Sequence, residues 1–186
     1  MAHRSTRPLK GKAMEHIDGL TLRKALGAFP TGVTVMTTLD TTGRACGITV
    51  NSFSSVSLTP PLILWSQSLS SRSYPVFRDA ERFVVNILSE HQIQVSRQFS
   101  TASDDKFRNI VSRPGLGGVP IISSCAANLE CVKISAHPEG DHVVYIGRVV
   151  RLERSANRPL VFGNGRYLVA RAHQQDELDA VLPLEA

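Results

Sequence analysis

Between Phe29 and Ser57 the chain is dense in hydroxyl and amide side chains, among them Thr31, Thr34, Thr49, Asn51, Ser52 and Ser57. A hydroxyl both gives and accepts a hydrogen bond, and an amide does each from a separate atom. Groups of this kind have no charge to offer a hydrolytic reaction. They suit the holding of a polar, multi-ring ligand. A second set follows in the serine-rich stretch after Trp65, where Ser66, Ser71 and Arg72 combine short donors with a cation, as a phosphate requires. Lys106, in Asp104-Asp105-Lys106-Phe107, is another cation that could meet a phosphate or a developing negative charge. A lysine after two aspartates is equally the pattern of a solvated charge cluster. His142, in Gly140-Asp141-His142, is a lone imidazole at the start of a strand-like run, a position more often structural than catalytic.

Motifs that would supply stronger chemistry are missing. No Gly-x-Gly-x-x-Gly follows a strand-like run, and no phosphate-loop or His-Glu-x-x-His pattern occurs. No Gly-x-Ser-x-Gly elbow occurs either. The six histidines are scattered, and Cys46, Cys125 and Cys131 form no Cys-x-x-Cys pair, so no metal site is expected. All three cysteines read as reduced, small apolar residues. If this chain is an enzyme, a cofactor must supply the chemistry.

The elements that position these residues are mostly strands. VTVMTTL and GITVNSF are β-branched and partly alternating, and Asp40-Thr41-Thr42-Gly43 between them reads as a turn. Strands are expected at 32–39, 45–53, 62–65, 82–88, 129–136, 142–153 and 160–162. Leu22, Ala25, Leu26 and Phe29 fall on one helical face, which predicts a short helix over 20–29, capped by Asp18 or Thr21 and ended by Pro30. Ser89-Glu90-His91-Gln92 has capping-box spacing before a second helix reaching about Phe99. A further helix start is possible over 72–78, and 101–118 reads as loop. Trp65 and Phe77 are expected in the core. Many short strands with few helices indicate a β-barrel rather than alternating β and α units.

A chain of 186 residues is expected to form one principal domain. Arg4, Arg7, Lys10 and Lys12 account for all but one of the net charge of +5. The division expected is a basic leader over 1–16, a folded domain over 17–171 and a tail over 172–186. No apolar run is long enough to cross a bilayer, and nothing resembles a secretory signal, so a cytoplasmic protein without membrane or nucleic-acid partners is expected.

Several runs together resemble the short-chain flavin reductase family, the reductase components of two-component flavin-dependent monooxygenases. They are Leu26-Gly27-x-Phe29-Pro30-Thr31-Gly32-Val33-Thr34-Val35, and Gly47-x-Thr49-x-Asn51-Ser52-Phe53-x-Ser55-Val56-Ser57-Leu58-x-Pro60-Pro61-Leu62. Asp105-Lys106-Phe107, Gly140-Asp141-His142 and Ile146-Gly147-Arg148-Val149 follow in order, so the resemblance covers about residues 20–170. It implies a mostly β fold, a split β-barrel of the FMN-binding type with a few short peripheral α-helices. It implies an NAD(P)H:flavin oxidoreductase that works as a homodimer, binds FMN or FAD, takes NADH or NADPH as co-substrate, and supplies a partner monooxygenase. Carried over by position, the flavin site comprises Thr31, Gly32, Val33 and Thr34; Thr49, Val50, Asn51, Ser52 and Ser57; and Ser66, Ser71, Arg72, Lys106, Phe107 and Tyr167. Gly140, Asp141 and His142 fall at the nicotinamide site, with His142 the catalytic candidate. Two other readings are a flavin carrier or sensor without turnover and a nucleic-acid-binding barrel using the basic leader.

Overall fold

The structure is a computed structural model that describes residues 17–173. The expected leader, and the expected tail beyond 173, lie outside the described residues.

Helix α1 (Gly19–Gly27) begins where Asp18 accepts hydrogen bonds from the backbone N–H of Leu20 and Thr21, both at 3.0 Å. This is the cap the sequence predicts. The strand that follows is broken in two, β1 (Thr31–Gly32) and β2 (Thr34–Leu39), before β3 (Ala45–Val50), β4 (Ser54–Leu58) and β5 (Pro61–Ser68). Then come α2 (Tyr74–Asp79), β6 (Arg82–Ile87) and α3 (Ile93–Ser100). The remaining strands are β7 (Ser112–Pro114), β8 (Pro120–Ile122), β9 (Ala127–Glu139), β10 (His142–Arg154), β11 (Leu160–Gly163) and β12 (Arg166–Val169).

Seven strands form one antiparallel sheet in the order β3-β2-β6-β9-β10-β5-β4. Its two edges, β3 and β4, are consecutive in the chain and joined only by residues 51–53. Three residues reach roughly 10 Å. A flat seven-strand sheet would hold its edges roughly 28 Å apart. The short connection therefore curls the sheet into a barrel. Ser52 fastens the seam: its hydroxyl donates to Ser66 O at 2.8 Å and accepts from Ser66 N–H at 2.9 Å.

One core cluster fills the barrel around Trp65, Phe77, Phe83 and Tyr145, with Trp65 stacked on Tyr145 at 4.8 Å. A second joins Val33, Val35, Leu88, Phe99 and Leu160 under α3 and the small β1-β11-β12 sheet. Asn86 is fully buried, donates to Val35 O and Thr37 Oγ1, and accepts from Ile122 N–H and Asn128 Nδ2, so it ties four segments together.

Three expectations change. The strand foreseen over 45–53 ends at Val50, because residues 51–53 turn the barrel corner, and β4 beyond the corner was not foreseen. Strands β7, β8 and β12 were not foreseen; β7 and β8 are only three residues long and β12 only four, too short for a periodic pattern to register. The capping box works from one side only: Gln92 accepts from the Ser89 N–H at 2.9 Å, while the helix itself starts at Ile93 with no side-chain cap.

Candidate active site

A cleft of about 380 Å³ opens beside β3. Its floor is Cys46, Gly47 and Thr49, one wall is the end of α3 with loop 102–106, and the opposite wall is the serine loop Ser71–Ser73. The floor is shallow because Gly47 carries no side chain. A Cβ there would lie 2.5 Å from Phe99 Cε1, so the ring of Phe99 rests on the Gly47 backbone. Phe107 meets Phe99 edge-on at 5.0 Å and holds it in place.

Three cations face this space: Arg44, Arg72 and Lys106. The Lys106 ammonium donates to Phe99 O at 2.8 Å and to Gly47 O at 3.4 Å, which leaves one N–H for a ligand. Gln98 fixes the loop that presents it, donating to the carbonyls of Lys106 and Arg108, each at 2.8 Å. Arg72 has no ion pair among the described residues. Two carboxylates share the rim. Asp40 is engaged: its Oδ1 accepts from the Thr42 hydroxyl and from the Arg44 N–H, which hold its pKa down at about 2. Asp104 is the other. Cations outnumber carboxylates, and hydroxyls of Ser71, Ser73 and Ser103 stand between them, so the cleft fits a phosphate-bearing ligand.

Burial in this wall lowers the pKa of Lys106 from its ordinary 10.5. Only the protonated amine attracts an anion. Affinity for a phosphorylated ligand is therefore full below the folded pKa and is lost as pH rises through it, at a lower pH than an exposed lysine would give. Stability moves the other way, because burial penalises the cation and the penalty lifts as pH climbs towards 10.5. Paired titrations of ligand affinity and thermal stability across alkaline pH are expected to show these opposite slopes.

Of the residues the sequence singles out, Thr49, Ser71, Arg72 and Lys106 meet in the cleft. Thr49 Oγ1 donates to Ser96 O at 2.7 Å, and the Ser96 hydroxyl lies 3.0 Å from the Tyr167 hydroxyl, so buried Ser96 links Thr49 to Tyr167. Tyr167 itself packs edge-on to Phe162 at 5.3 Å, with the Arg97 guanidinium 5.7 Å from its ring centre.

A second group gathers along β5 and β10. Ser52 is bound to Ser66, and on the adjoining strand His142 stands opposite Ser68 in register. Ser66, Ser68, His142 and Val144 share the face turned away from the core. His142 Nδ1 lies 2.6 Å from Asp141 Oδ1, a bond that lowers the Asp141 pKa. Gly140 closes the preceding turn at φ 59°, a conformation that suits glycine. β5 runs on from this face into the Ser71–Ser73 loop, so the chain connects the two groups directly.

Other members of the list lie elsewhere. Val33 is buried in the second core cluster, and Val50 and Phe107 pack against the two clusters. The Thr34 hydroxyl donates to Val50 O at 3.0 Å, beside Thr37 on Pro120 O at 2.5 Å and Thr38 on Arg82 O at 2.7 Å. The β2 threonines thus staple neighbouring segments to the barrel and form no single exposed polar face. The reason is that β2 is buried on both sides. Thr31, beside Gly32 in β1, has a buried hydroxyl with no partner among the described residues. Asn51 is exposed at the barrel corner, and Ser57 is half-buried on β4. Arg44, Gly47, Ser73 and Phe99 were missed as site residues. Arg44 alone had a readable signal, a cation directly after the Asp40–Gly43 turn.

Barrel and cleft together define a class of protein: a split β-barrel with a cleft lined by cations and hydroxyls at its side. Residues 26–171 match the family model described as "Flavin reductase like domain". The chain belongs to the flavin reductase-like domain family.

Among similar proteins is the "FMN reductase (NADH) SmoA" of Agrobacterium fabrum, 42% identical over 145 residues, or 78% of this chain and 82% of that protein. The "Flavin-dependent monooxygenase, reductase subunit HsaB" of Mycobacterium tuberculosis is 39% identical, covering 89% of this chain and 93% of its own. The chain spans half the length of another relative, a Rhizobium meliloti protein named "Probable flavin reductase", with 45% identity over 157 residues. Among solved structures, the Streptomyces globisporus NADH:FAD oxidoreductase SgcE6, in complex with NAD and FAD fragments, superposes with a TM-score of 0.80. It shares 32% identity over 86% of this chain and 99% of its own.

Proposed function

We propose that this chain is an NAD(P)H:flavin oxidoreductase that delivers reduced flavin to a partner monooxygenase. The single observation that carries the placement of the flavin is the cleft beside β3, where Lys106, Arg72 and the serine loop present donors around space for a phosphate. A bound flavin supplies the capacity to accept a hydride from a reduced nicotinamide. Lys106, Arg72, Ser71 and Ser73 hold the phosphate. Thr49, braced through Ser96, borders the floor on which the rest of the ligand leaves the phosphate. Ser52, Ser66, Asn51 and His142 lie further along the barrel corner and the outward strand face, where the ring system and the reductant would meet. His142, oriented by Asp141, offers its remaining ring nitrogen to the nicotinamide carboxamide or to charge at the ring. No strong general base is needed, because the chemistry depends on bringing two flat rings into register. FMN and FAD both carry a phosphate at the end of the ribityl chain, the group this cleft can receive.

The domain is assigned to 17–171. Its working form is a homodimer, a reading supported by apolar surface that an isolated subunit leaves bare. No residue of α1 is buried, and Leu20, Leu26 and Phe29 are all exposed, as are Val56 and Leu58 on edge strand β4. A second copy covers these faces. Light scattering is expected to give twice the chain mass, and a monomer mass at micromolar concentration would remove the dimer from the account.

The functional test is direct. Purified protein with FMN or FAD and either NADH or NADPH should oxidise the nicotinamide, followed by its absorbance, at a rate that depends on both flavin and protein. No flavin-dependent oxidation with either nucleotide would end this assignment.

A further inference from the structure

Gln67 lies beneath the serine loop on the inward face of β5 and is almost fully buried, at 1% exposure. Its Nε2 donates to Ser73 Oγ at 2.9 Å and to Ser71 Oγ at 3.4 Å, while its Oε1 has no partner among the described residues. An amide nitrogen can only donate, so both serine oxygens are used as acceptors from below. The Ser73 N–H adds a second donor to Ser71 Oγ at 3.4 Å. The two serine oxygens stand 3.0 Å apart, so one hydroxyl hydrogen bridges them. The other has no acceptor among the described residues, and both serines line the cleft.

We propose that Gln67 is a positioning residue that sets the polarity of the phosphate corner, making it select flavins that end in a phosphate over those that end in a free hydroxyl. The inference rests on the reading that the flavin phosphate enters this cleft. By saturating the serine oxygens from the core side, Gln67 turns the free hydroxyl hydrogen outward. The two serines, Arg72 and Lys106 then all meet a ligand as donors. A phosphate monoester, which only accepts at neutral pH, matches such a corner. The terminal hydroxyl of riboflavin gains much less from it.

Equilibrium binding of FMN and of riboflavin, read from flavin fluorescence, tests this in the wild type and in two variants. Gln67→Glu places an acceptor beneath the serines, which draws their hydrogens inward. FMN affinity is expected to fall by about tenfold or more, while riboflavin affinity stays within about twofold. Gln67→Met keeps the volume but removes the donor, and is expected to lower the FMN-to-riboflavin preference by a smaller factor in the same direction. If Gln67→Glu fails to fold, Gln67→Met carries the comparison alone. A general packing defect would weaken both flavins alike, and that result, or an unchanged preference in the folded variants, overturns the role of Gln67. A wild type that binds riboflavin as tightly as FMN would instead overturn the placement of the phosphate.

Discussion

Replacing both Lys106 and Arg72, as Lys106→Met with Arg72→Ala, is expected to weaken FMN binding by about a hundredfold or more. The lysine supplies a charge-assisted donor from a partly desolvated wall, where its attraction for an anion is stronger than at the open surface. Neither the arginine nor the lysine has a competing ion pair among the described residues, whereas Arg44 is paired with Asp40. Riboflavin affinity should change by no more than about threefold, because neither residue has a phosphate to meet there. Turnover at saturating flavin should be preserved, so the loss falls on KM and leaves kcat close to the wild-type value. Isothermal titration with each flavin, alongside steady-state kinetics, checks all three statements. Equal losses for both flavins would mean that these cations hold the wall of the cleft together and do not grip the phosphate.

The second large effect belongs to Phe99. Its ring is fully buried, faces Gly47, and meets Phe107 edge-on, and its carbonyl receives Lys106. Phe99→Ala is expected to cost about 3–5 kcal/mol of stability, as large-to-small changes in a packed core do. It also lets the Lys106 loop sag into the cleft. Gly47→Ala attacks the same contact from the other side, forcing a methyl to within 2.5 Å of the ring, and is expected to cost about 1–3 kcal/mol. In the double variant the new methyl enters the space the ring has left. The combined loss should therefore fall below the sum of the single losses by about 1 kcal/mol or more. Chemical denaturation of the four proteins provides the cycle, and strict additivity would show that the two residues do not share the contact.

What the sequence made legible follows from local rules. Asp18 announced α1, Pro30 its end, and the β-branched runs announced β2, β3, β6, β9 and β10, because period and capping depend on neighbours in the chain. The cations of the site, Arg72 and Lys106, were legible as residue types. Their meeting with Thr49 was not, since it depends on a barrel that brings loop 102–106 over β3. The threonines of β2 show the opposite failure. Thr34, Thr37 and Thr38 look like a ligand-facing row in sequence, yet their hydroxyls satisfy backbone carbonyls of three other segments. A strand covered on both sides turns its polar groups to structural use. Gly47 was hidden for a simpler reason. A glycine in a strand says that something approaches closely, without saying that it is the ring of Phe99. The apolar face of α1 was legible as a stripe, but its exposure was not, because an amphipathic pattern does not say what the face packs against.

The placement of the flavin is tested most directly by a crystal structure of the chain with FMN. The account predicts the phosphate within hydrogen-bonding reach of Lys106, Arg72 and the Ser71 hydroxyl, and the ring beside the Ser52–Ser66 seam with one face open towards His142. A phosphate bound away from the cleft beside β3, or a ring whose open face is turned away from His142, would contradict it.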